Sequence, residues 1–180
     1  RIGDGIAALF TERTKAVFVE SPGSLTFEMQ DLPAIAAAAR ARGITVIVDN
    51  SWATPLYHRP LEMGAGMVMH AATKMFVGHS DAMVGTVSAN EKLWTRLKRT
   101  HRILGVAISP DDSYLTLRGL RTLAVRMKHH ATQSVAFAEW LQGQPEVEEV
   151  YHPALPDHPD HAIFKRDFTG AGSLFTFRLK

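Results

Sequence analysis

Short apolar runs alternate with helix-like segments along the first half of the chain. Residues 16–19, 45–48 and 67–69 are continuously apolar or β-branched, which predicts buried strands. After the first run, Asp31 can cap a helix that has a proline in its first turn and Gly43 just beyond its end. Because such unbroken apolar strands are typical of parallel sheets with helices on both faces, the pattern predicts an α/β fold with a mostly parallel sheet covered by helices.

The second half has longer helical periods and fewer apolar runs. Residues 83–88 predict a fourth strand, and residues 91–104 predict an amphipathic helix. Residues 120–141 carry apolar side chains at helical spacing, and a glycine and a proline shortly afterwards end that helix. Residues 173–179 alternate between apolar and polar positions, which predicts a final strand.

A change in composition near residue 120 predicts a domain boundary carried by the long helix. We expect residues 1–120 to form part of a large domain. Residues 121–180 would then form the linking helix and the first part of a smaller C-terminal α/β domain.

Composition excludes several classes of protein. The chain has 180 residues, of which 46% are hydrophobic, and it contains no cysteine. A chain of this length buries roughly 70% of its unfolded surface, so it needs no disulfide or metal to form a core. It has no apolar run near the roughly 18 residues of a membrane span, so we expect a soluble protein with no membrane partner. The absence of cysteine excludes thiolate chemistry and is compatible with a reducing, cytoplasmic location.

Charge and histidine content indicate neither nucleic acid nor metal as a partner. The formal net charge is only +2, and we interpret the one basic stretch, residues 93–102, as a solvated helix face. Four residues of one loop resemble metal ligands, namely His158 and His161 with Asp157 and Asp160. The adjacent His129 and His130 add two more imidazoles. Their spacing matches no closed ligand set, so we predict no metal site and interpret the loop at 151–161 as solvated turns.

Polar residues at two strand ends carry the candidate chemistry. Asp49 ends the second predicted strand, and Lys74 follows the third, at the sheet edge where open parallel sheets bind ligands. An isolated pair of this kind is most often a salt bridge, but Thr73 adds a hydroxyl for an anion and residues 78–80 form a tight polar turn. A lysine amine can form a Schiff base, and a carboxylate can hold a pyridine nitrogen in its protonated form.

Four segments, in this order, resemble one known enzyme family. They are ESPGSLTFE at 20–28, VDNSWATP at 48–55, ATKMFVGHSDAMVGT at 72–86 and YLTLRGLRTL at 114–123. Together they resemble the cystathionine β-lyase branch of the pyridoxal-phosphate-dependent enzymes of Cys and Met metabolism. The resemblance extends over nearly the whole chain.

The resemblance implies an aminotransferase-like fold of type I with pyridoxal 5'-phosphate as cofactor. By that resemblance, Lys74 holds the cofactor as a Schiff base, Asp49 pairs with its pyridinium nitrogen and Thr73 binds its phosphate. The implied activity is a carbon–sulfur lyase of methionine biosynthesis and transsulfuration, with Lys74 as general base. It would take an amino-acid thioether, cleaving cystathionine to homocysteine, pyruvate and ammonia. The family also implies a homo-oligomer, a dimer or tetramer with shared active sites.

Departures from the family pattern leave alternatives open. Many relatives have a second phosphate-binding serine where this chain has Ala71, and Ser24 replaces an asparagine found in γ-acting relatives, which favours β-elimination. A γ-acting relative, such as a cystathionine γ-synthase or γ-lyase, remains the alternative. Family members are considerably longer, so we also expect an internal piece of a subunit that binds cofactor poorly when alone, or a non-catalytic fragment.

Overall fold

Four strands form the main sheet of the protein. The computed structural model describes residues 3–180, apart from the side chain of residue 4. The sheet has the order β1–β2–β3–β4, with β1 parallel to β2 and β2 parallel to β3. The strands are β1 (Ala16–Glu20), β2 (Thr45–Asp49), β3 (Met67–Ala71) and β4 (Gly85–Ala89). The predicted α/β fold with a mostly parallel sheet is therefore confirmed.

The first helix is fixed by the signals that predicted it. Helix α1 (Leu32–Arg40) begins after Asp31, whose side chain accepts a hydrogen bond from the Ala34 amide at 3.1 Å. Gly43 follows with φ of +64°, a left-handed conformation that suits glycine at the end of a helix. The buried face of α1, including Leu32 and Ile35, packs on β2 and β3 to form the main apolar core.

The fourth strand departs from the parallel pattern. Strand β4 pairs antiparallel with β3, so that Gly85 lies opposite Ala71 and Ala89 lies opposite Met67. Apolar runs alone do not fix the direction of a strand, and here it is set by the turn of residues 72–84, which reverses the chain without a helical crossover.

The following helices differ from the prediction in number and extent. Helix α3 (Glu91–Leu104) lies where it was predicted and has no buried residue, as a solvated face requires. The helix predicted over 120–141 is wrong at its start, because α4 (Pro110–Leu120) ends there and α5 (Leu123–Gln142) begins three residues later. The short α2 (Thr54–Tyr57), α6 (His161–Asp167) and β5 (Val147–Tyr151) were not predicted. Strand β6 (Thr176–Leu179) pairs antiparallel with β5 in a second, two-stranded sheet.

A second core joins the end of the chain to its first half. Phe164, Phe168 and Ala171 are buried against Met29 and Ala53. Beside this core, Arg166 donates to both carboxylate oxygens of Asp31 at 2.8 and 3.1 Å, and this bonding lowers the pKa of that carboxyl. The division into domains at residues 120 and 121 stays a prediction.

Residues 3–180 contain neither a membrane-spanning helix nor a group of metal-binding side chains. Within residues 3–180, no helix combines the length and the apolar character needed to cross a membrane. Over the same residues, no three histidine or carboxylate side chains are grouped so that they could hold a metal ion.

We expect the core under α1 to dominate the stability of the first half. Ile35 is 0% exposed, so Ile35→Ala should lower the free energy of unfolding by about 2 to 5 kcal/mol through lost burial and a residual cavity. Urea denaturation measures this change. Val125 lies in α5 and is 74% exposed, so the matched variant Val125→Ala should change stability by no more than about 0.5 kcal/mol. Equal losses in the two variants would contradict this core assignment.

Candidate active site

The ends of β1 and β2 open into a cavity of about 340 Å³. Glu20 and Asp49, the last residues of these strands, are register partners, and Asp49 also pairs with Met69 of β3. The size lies within the range of roughly 300 to 1,000 Å³ for small-molecule sites. The lining residues are 20–25, Phe27, Asp49, Ser51, Trp52, Lys74, Met75 and 174–176.

Asp49 is held by the backbone that follows it. Its Oδ1 accepts a hydrogen bond from the Ser51 amide at 2.8 Å. The buried Asn50 fixes the next loop, because its side-chain amide donates to the His58 carbonyl at 2.9 Å while its Oδ1 lies 3.0 Å from His58 Nδ1. Within residues 3–180, Asp49 Oδ2 makes no hydrogen bond, so one carboxylate oxygen stays available to a ligand.

Lys74 lies on a tight turn that follows β3. Its amide donates to the Ala71 carbonyl at 2.9 Å, and the Gly78 amide donates back to the Lys74 carbonyl at 2.8 Å. The side chain is exposed, and its amine has no hydrogen bond or ion pair within the described chain. Lys74 also lines a second cavity of about 660 Å³, so its amine stands in the wall between two adjoining spaces.

Thr73 faces the larger cavity, and the backbone of Val84 already contacts its hydroxyl. The Val84 amide donates to Thr73 Oγ1 at 2.7 Å, and Oγ1 lies 3.2 Å from the Val84 carbonyl. A hydroxyl has one proton, so Thr73 can donate to an anion only by turning that proton away from the carbonyl. The structure thus brings Asp49 and Lys74 to one cavity and Thr73 and Lys74 to the next.

Comparison with known proteins gives the family of this chain. A family model described as Cys/Met metabolism PLP-dependent enzyme matches residues 1–180. The chain belongs to this family. A putative cystathionine beta-lyase from Rhizobium johnstonii is 51% identical over 99% of this chain and 45% of its own length. The cystathionine beta-lyase MetC of Escherichia coli is 45% identical over 99% of this chain and 46% of its own length.

Solved structures give the same placement. The crystal structure of a cystathionine gamma-lyase from Lactobacillus plantarum complexed with L-serine superposes with a TM-score of 0.94, at 33% identity. It covers 97% of this chain, whereas the chain covers 46% of that protein. The predicted fold of type I is confirmed, and the chain spans about half the length of the curated relatives it matches.

The side chains of the two cavities fit pyridoxal phosphate, the cofactor of the family. Among the described residues, Lys74 offers an amine without a partner, and Asp49 offers a carboxylate oxygen without a hydrogen bond to the smaller cavity. Thr73 offers a hydroxyl next to the same lysine. An amine, a carboxylate and a hydroxyl are the kinds of group with which a protein makes the covalent, acidic and anion-binding contacts to such a cofactor.

Two side chains in the VDNSWATP segment contribute to the site, although the sequence analysis gave them no role. Ser51 Oγ accepts a hydrogen bond from the Ala71 amide at 2.7 Å, and within residues 3–180 its own proton makes no hydrogen bond. Trp52 donates from its indole nitrogen to the Leu174 carbonyl at 2.9 Å. The signal for both was their position just after Asp49, at the same sheet edge.

A series of buried hydrogen bonds behind the cavity holds the segment that contains Leu174. The Ala154 amide donates to His152 Nδ1 at 3.1 Å, so the neutral ring carries its proton on Nε2, 3.2 Å from Ser134 Oγ. The Ser134 hydroxyl in turn donates to the Gly172 carbonyl at 2.9 Å. Helix α5 and the loop after β5 therefore fix the wall of the cavity.

The histidine-rich loop is part of this buried structure, so its interpretation as solvated turns is wrong. His152 and His158 are buried, and the carboxylate of Asp160 accepts a hydrogen bond from the Met29 amide at 3.0 Å. The ring of His161 lies with its Nδ1 3.0 Å from the Pro153 carbonyl. These contacts show that the loop joins the two halves of the chain.

We expect the buried histidines to make the fold acid-sensitive. Burial lowers the pKa of His58 and of His152 from 6.5 to about 4. As the pH falls, each ring therefore takes up a proton in the unfolded chain at a higher pH than in the folded chain. The free energy of unfolding has its full value above pH 6.5 and decreases as the pH falls towards 4. Each histidine should cost about 2 kcal/mol of unfolding free energy between about pH 7 and about pH 5.

Urea denaturation of His152→Gln at both pH values tests this expectation. The variant should lose about 2 kcal/mol less than the wild type on acidification, since one proton-linked group is gone. His129 is exposed on α5, so His129→Gln should lose as much unfolding free energy on acidification as the wild type does. The same pH loss in His152→Gln and the wild type would contradict the assignment.

Proposed function

We propose that this chain forms the lysine-bearing part of a pyridoxal-phosphate-dependent carbon–sulfur lyase that cleaves cystathionine by β-elimination. The observation that carries the proposal is the shared cavity of Asp49 and Lys74 at the carboxyl ends of parallel strands. The names of relatives that match 99% of the chain support it. Division of the chain at residues 120 and 121 into a cofactor-binding part and the start of a smaller domain belongs to the same proposal.

Three side chains would hold the cofactor. Lys74 would bond to it covalently, Asp49 Oδ2 would accept the hydrogen bond of its ring nitrogen, and Thr73 Oγ1 would donate to its phosphate. Pyridoxal phosphate, when bound, supplies a sink for the electron pair that stays on the Cα of an amino-acid substrate after proton loss. Ser51 Oγ, with its free proton, adds a second hydroxyl donor in the smaller cavity.

The same residues account for the movement of protons. The Asp49 carboxylate would keep a proton on the nitrogen that it contacts. The Lys74 amine forms no ion pair with a carboxylate of the described chain. It would accept the Cα proton of the substrate as general base. The net reaction takes up one water, and the Cβ–S bond breaks with its electron pair going to sulfur. Homocysteine, pyruvate and ammonia leave.

A second candidate is γ-elimination. It is supported by the close structural match to a protein titled cystathionine gamma-lyase. Ser24 argues for the β-reaction, because its hydroxyl donates to Glu20 Oε1 at 2.8 Å in the wall of the smaller cavity, at the place where γ-acting relatives have an asparagine. The proposed substrate is in either case an amino-acid thioether.

The proposal includes a homo-oligomer in the cytoplasm. Exposed apolar side chains on and after α3, among them Ile103, Leu104 and Val106, support burial against further protein. The absence of cysteine is compatible with a reducing compartment.

We expect pyridoxal phosphate to react selectively with Lys74. The chain, within its full-length subunit, is incubated with the cofactor and reduced with borohydride, and the fixed pyridoxyl group is then located by peptide mass spectrometry. Lys74→Arg should lose the label, because the guanidinium does not form the Schiff base. Lys92→Arg, on the exposed face of α3, should keep it. A label spread evenly over the exposed lysines would refute the role of Lys74.

We expect pyruvate as the keto acid formed from cystathionine. In the presence of pyridoxal phosphate, β-elimination gives pyruvate and homocysteine, which chromatography separates from 2-oxobutyrate and cysteine. Lys74→Arg serves as the inactive control and Lys92→Arg as the active one. Formation of 2-oxobutyrate would support the γ-reaction instead, and no product from a chain that is labelled at Lys74 would limit its role to cofactor binding.

A further inference from the structure

The segment YLTLRGLRTL forms a corner that lies directly against the turn bearing Lys74. It covers the end of α4, and α5 begins at its last residue. Gly119 is buried there, and a Cβ at this position would stand 2.2 Å from the carbonyl oxygens of Phe76 and Val77. Since no side chain tolerates that distance, glycine allows α4 to approach the backbone two residues after Lys74.

Arg126 closes the same contact from α5. Its Nη2 donates to the Gly119 carbonyl at 2.8 Å, and its Nε donates to Thr122 Oγ1 at 3.0 Å. A Cβ on Gly78 would lie 2.4 Å from the guanidinium carbon, so the guanidinium rests on the Gly78 backbone. Gly78 has φ of +75°, a second reason for glycine at this point.

Arg126 has no carboxylate partner among the ion pairs of residues 3–180, although it is half-buried. Two of its five N–H groups donate to the corner, one to the Gly119 carbonyl and one to the Thr122 hydroxyl. A buried guanidinium keeps its charge and needs acceptors, so the Gly119 carbonyl and the Thr122 hydroxyl hold it in one orientation. The guanidinium therefore lies in a fixed orientation between the corner and the turn.

The turn itself depends on two hydrogen bonds. The Val77 amide donates to the Ala72 carbonyl at 2.9 Å, and the Gly78 amide donates to the Lys74 carbonyl at 2.8 Å. Both donors belong to the residues against which Gly119 and Arg126 pack. Loss of that packing would let the two hydrogen bonds open and the direction of the Lys74 side chain vary.

We propose that Arg126 is a positioning residue for Lys74, which it holds through Gly119 and the backbone of Gly78. The inference rests on the proposed function of Lys74, but the contact between the corner and the turn does not. Arg126 and Lys74 line the same larger cavity, so a loosened turn would change how the amine enters it. Misplacement of a reacting group by about 1 Å can cost up to about a hundredfold in rate.

Hydrogen exchange tests the contact without any cofactor. In Arg126→Met, a peptide covering residues 72–78 should exchange about tenfold faster than in the wild type, because two charge-assisted hydrogen bonds and their packing are lost. A peptide from α1 should be unchanged. Arg121 is exposed in the same corner, and its side chain makes no hydrogen bond or ion pair among the described residues, so Arg121→Met is the control with the same loss of charge.

Borohydride labelling tests the consequence for Lys74. The ratio of label on Lys74 to label on Lys92 in one sample should fall about tenfold or more in Arg126→Met and in Gly119→Ala. Arg121→Met should keep the wild-type ratio. The pH profile of the ratio separates the two causes: poor positioning lowers it at every pH with the same midpoint, whereas a purely electrostatic role of Arg126 moves the midpoint.

The outcomes separate this inference from the proposed function. Unchanged exchange of residues 72–78 in Arg126→Met would overturn the inference, and so would an unchanged labelling ratio or a shifted midpoint. Failure to label Lys74 in the wild type would instead overturn the proposed function. If Arg126→Met also loosens α1, Arg126→Lys decides: it keeps a cation but cannot make both hydrogen bonds, so faster exchange confined to the turn supports the inference and faster exchange in both peptides overturns it.

Discussion

The in-register parallel pairing of β1, β2 and β3 is the constraint on which the candidate site depends. Glu20 and Asp49 end their strands side by side, and the chain leaves β3 from the same edge to reach Lys74. A slip of one residue would turn Asp49 from one face of the sheet to the other, because side chains alternate along a strand. The apolar packing of α1 on the sheet, through residues such as Ile35, prevents that slip.

The second half of the chain supports this edge from behind. The corner between α4 and α5 lies against the backbone that follows Lys74, and Ser134 of α5 holds the Gly172 carbonyl near Trp52. The loop after β5, with His152 buried in it, completes the support. Residues far along the chain thus fix the site, although few of their side chains line it.

The sequence predicted the first half of the fold better than the second. Continuous apolar runs and the capping position of Asp31 were sufficient for three strands and α1, because these signals are local. Asp49 and Lys74 followed from strand ends and from the family resemblance, and the structure places them at one cavity. The division between α4 and α5 was missed even though Ser109 and Pro110 mark the start of a helix. Tertiary contacts, such as the approach of Gly119 to the Lys74 turn, leave no periodic pattern in a sequence.

Lys74, Met75 and Leu174 are common to both cavities, but the loops around them are not. The loop after β1 lines the smaller cavity alone, and Gly78 with residues 80–83 contributes to the larger cavity alone. Mutation in one loop can therefore reshape one space and leave the other as it was. Proteins that inherit this arrangement can change the ligand that one cavity accepts while selection keeps the other cavity unchanged. The two cavities can then evolve separately, although both contain Lys74.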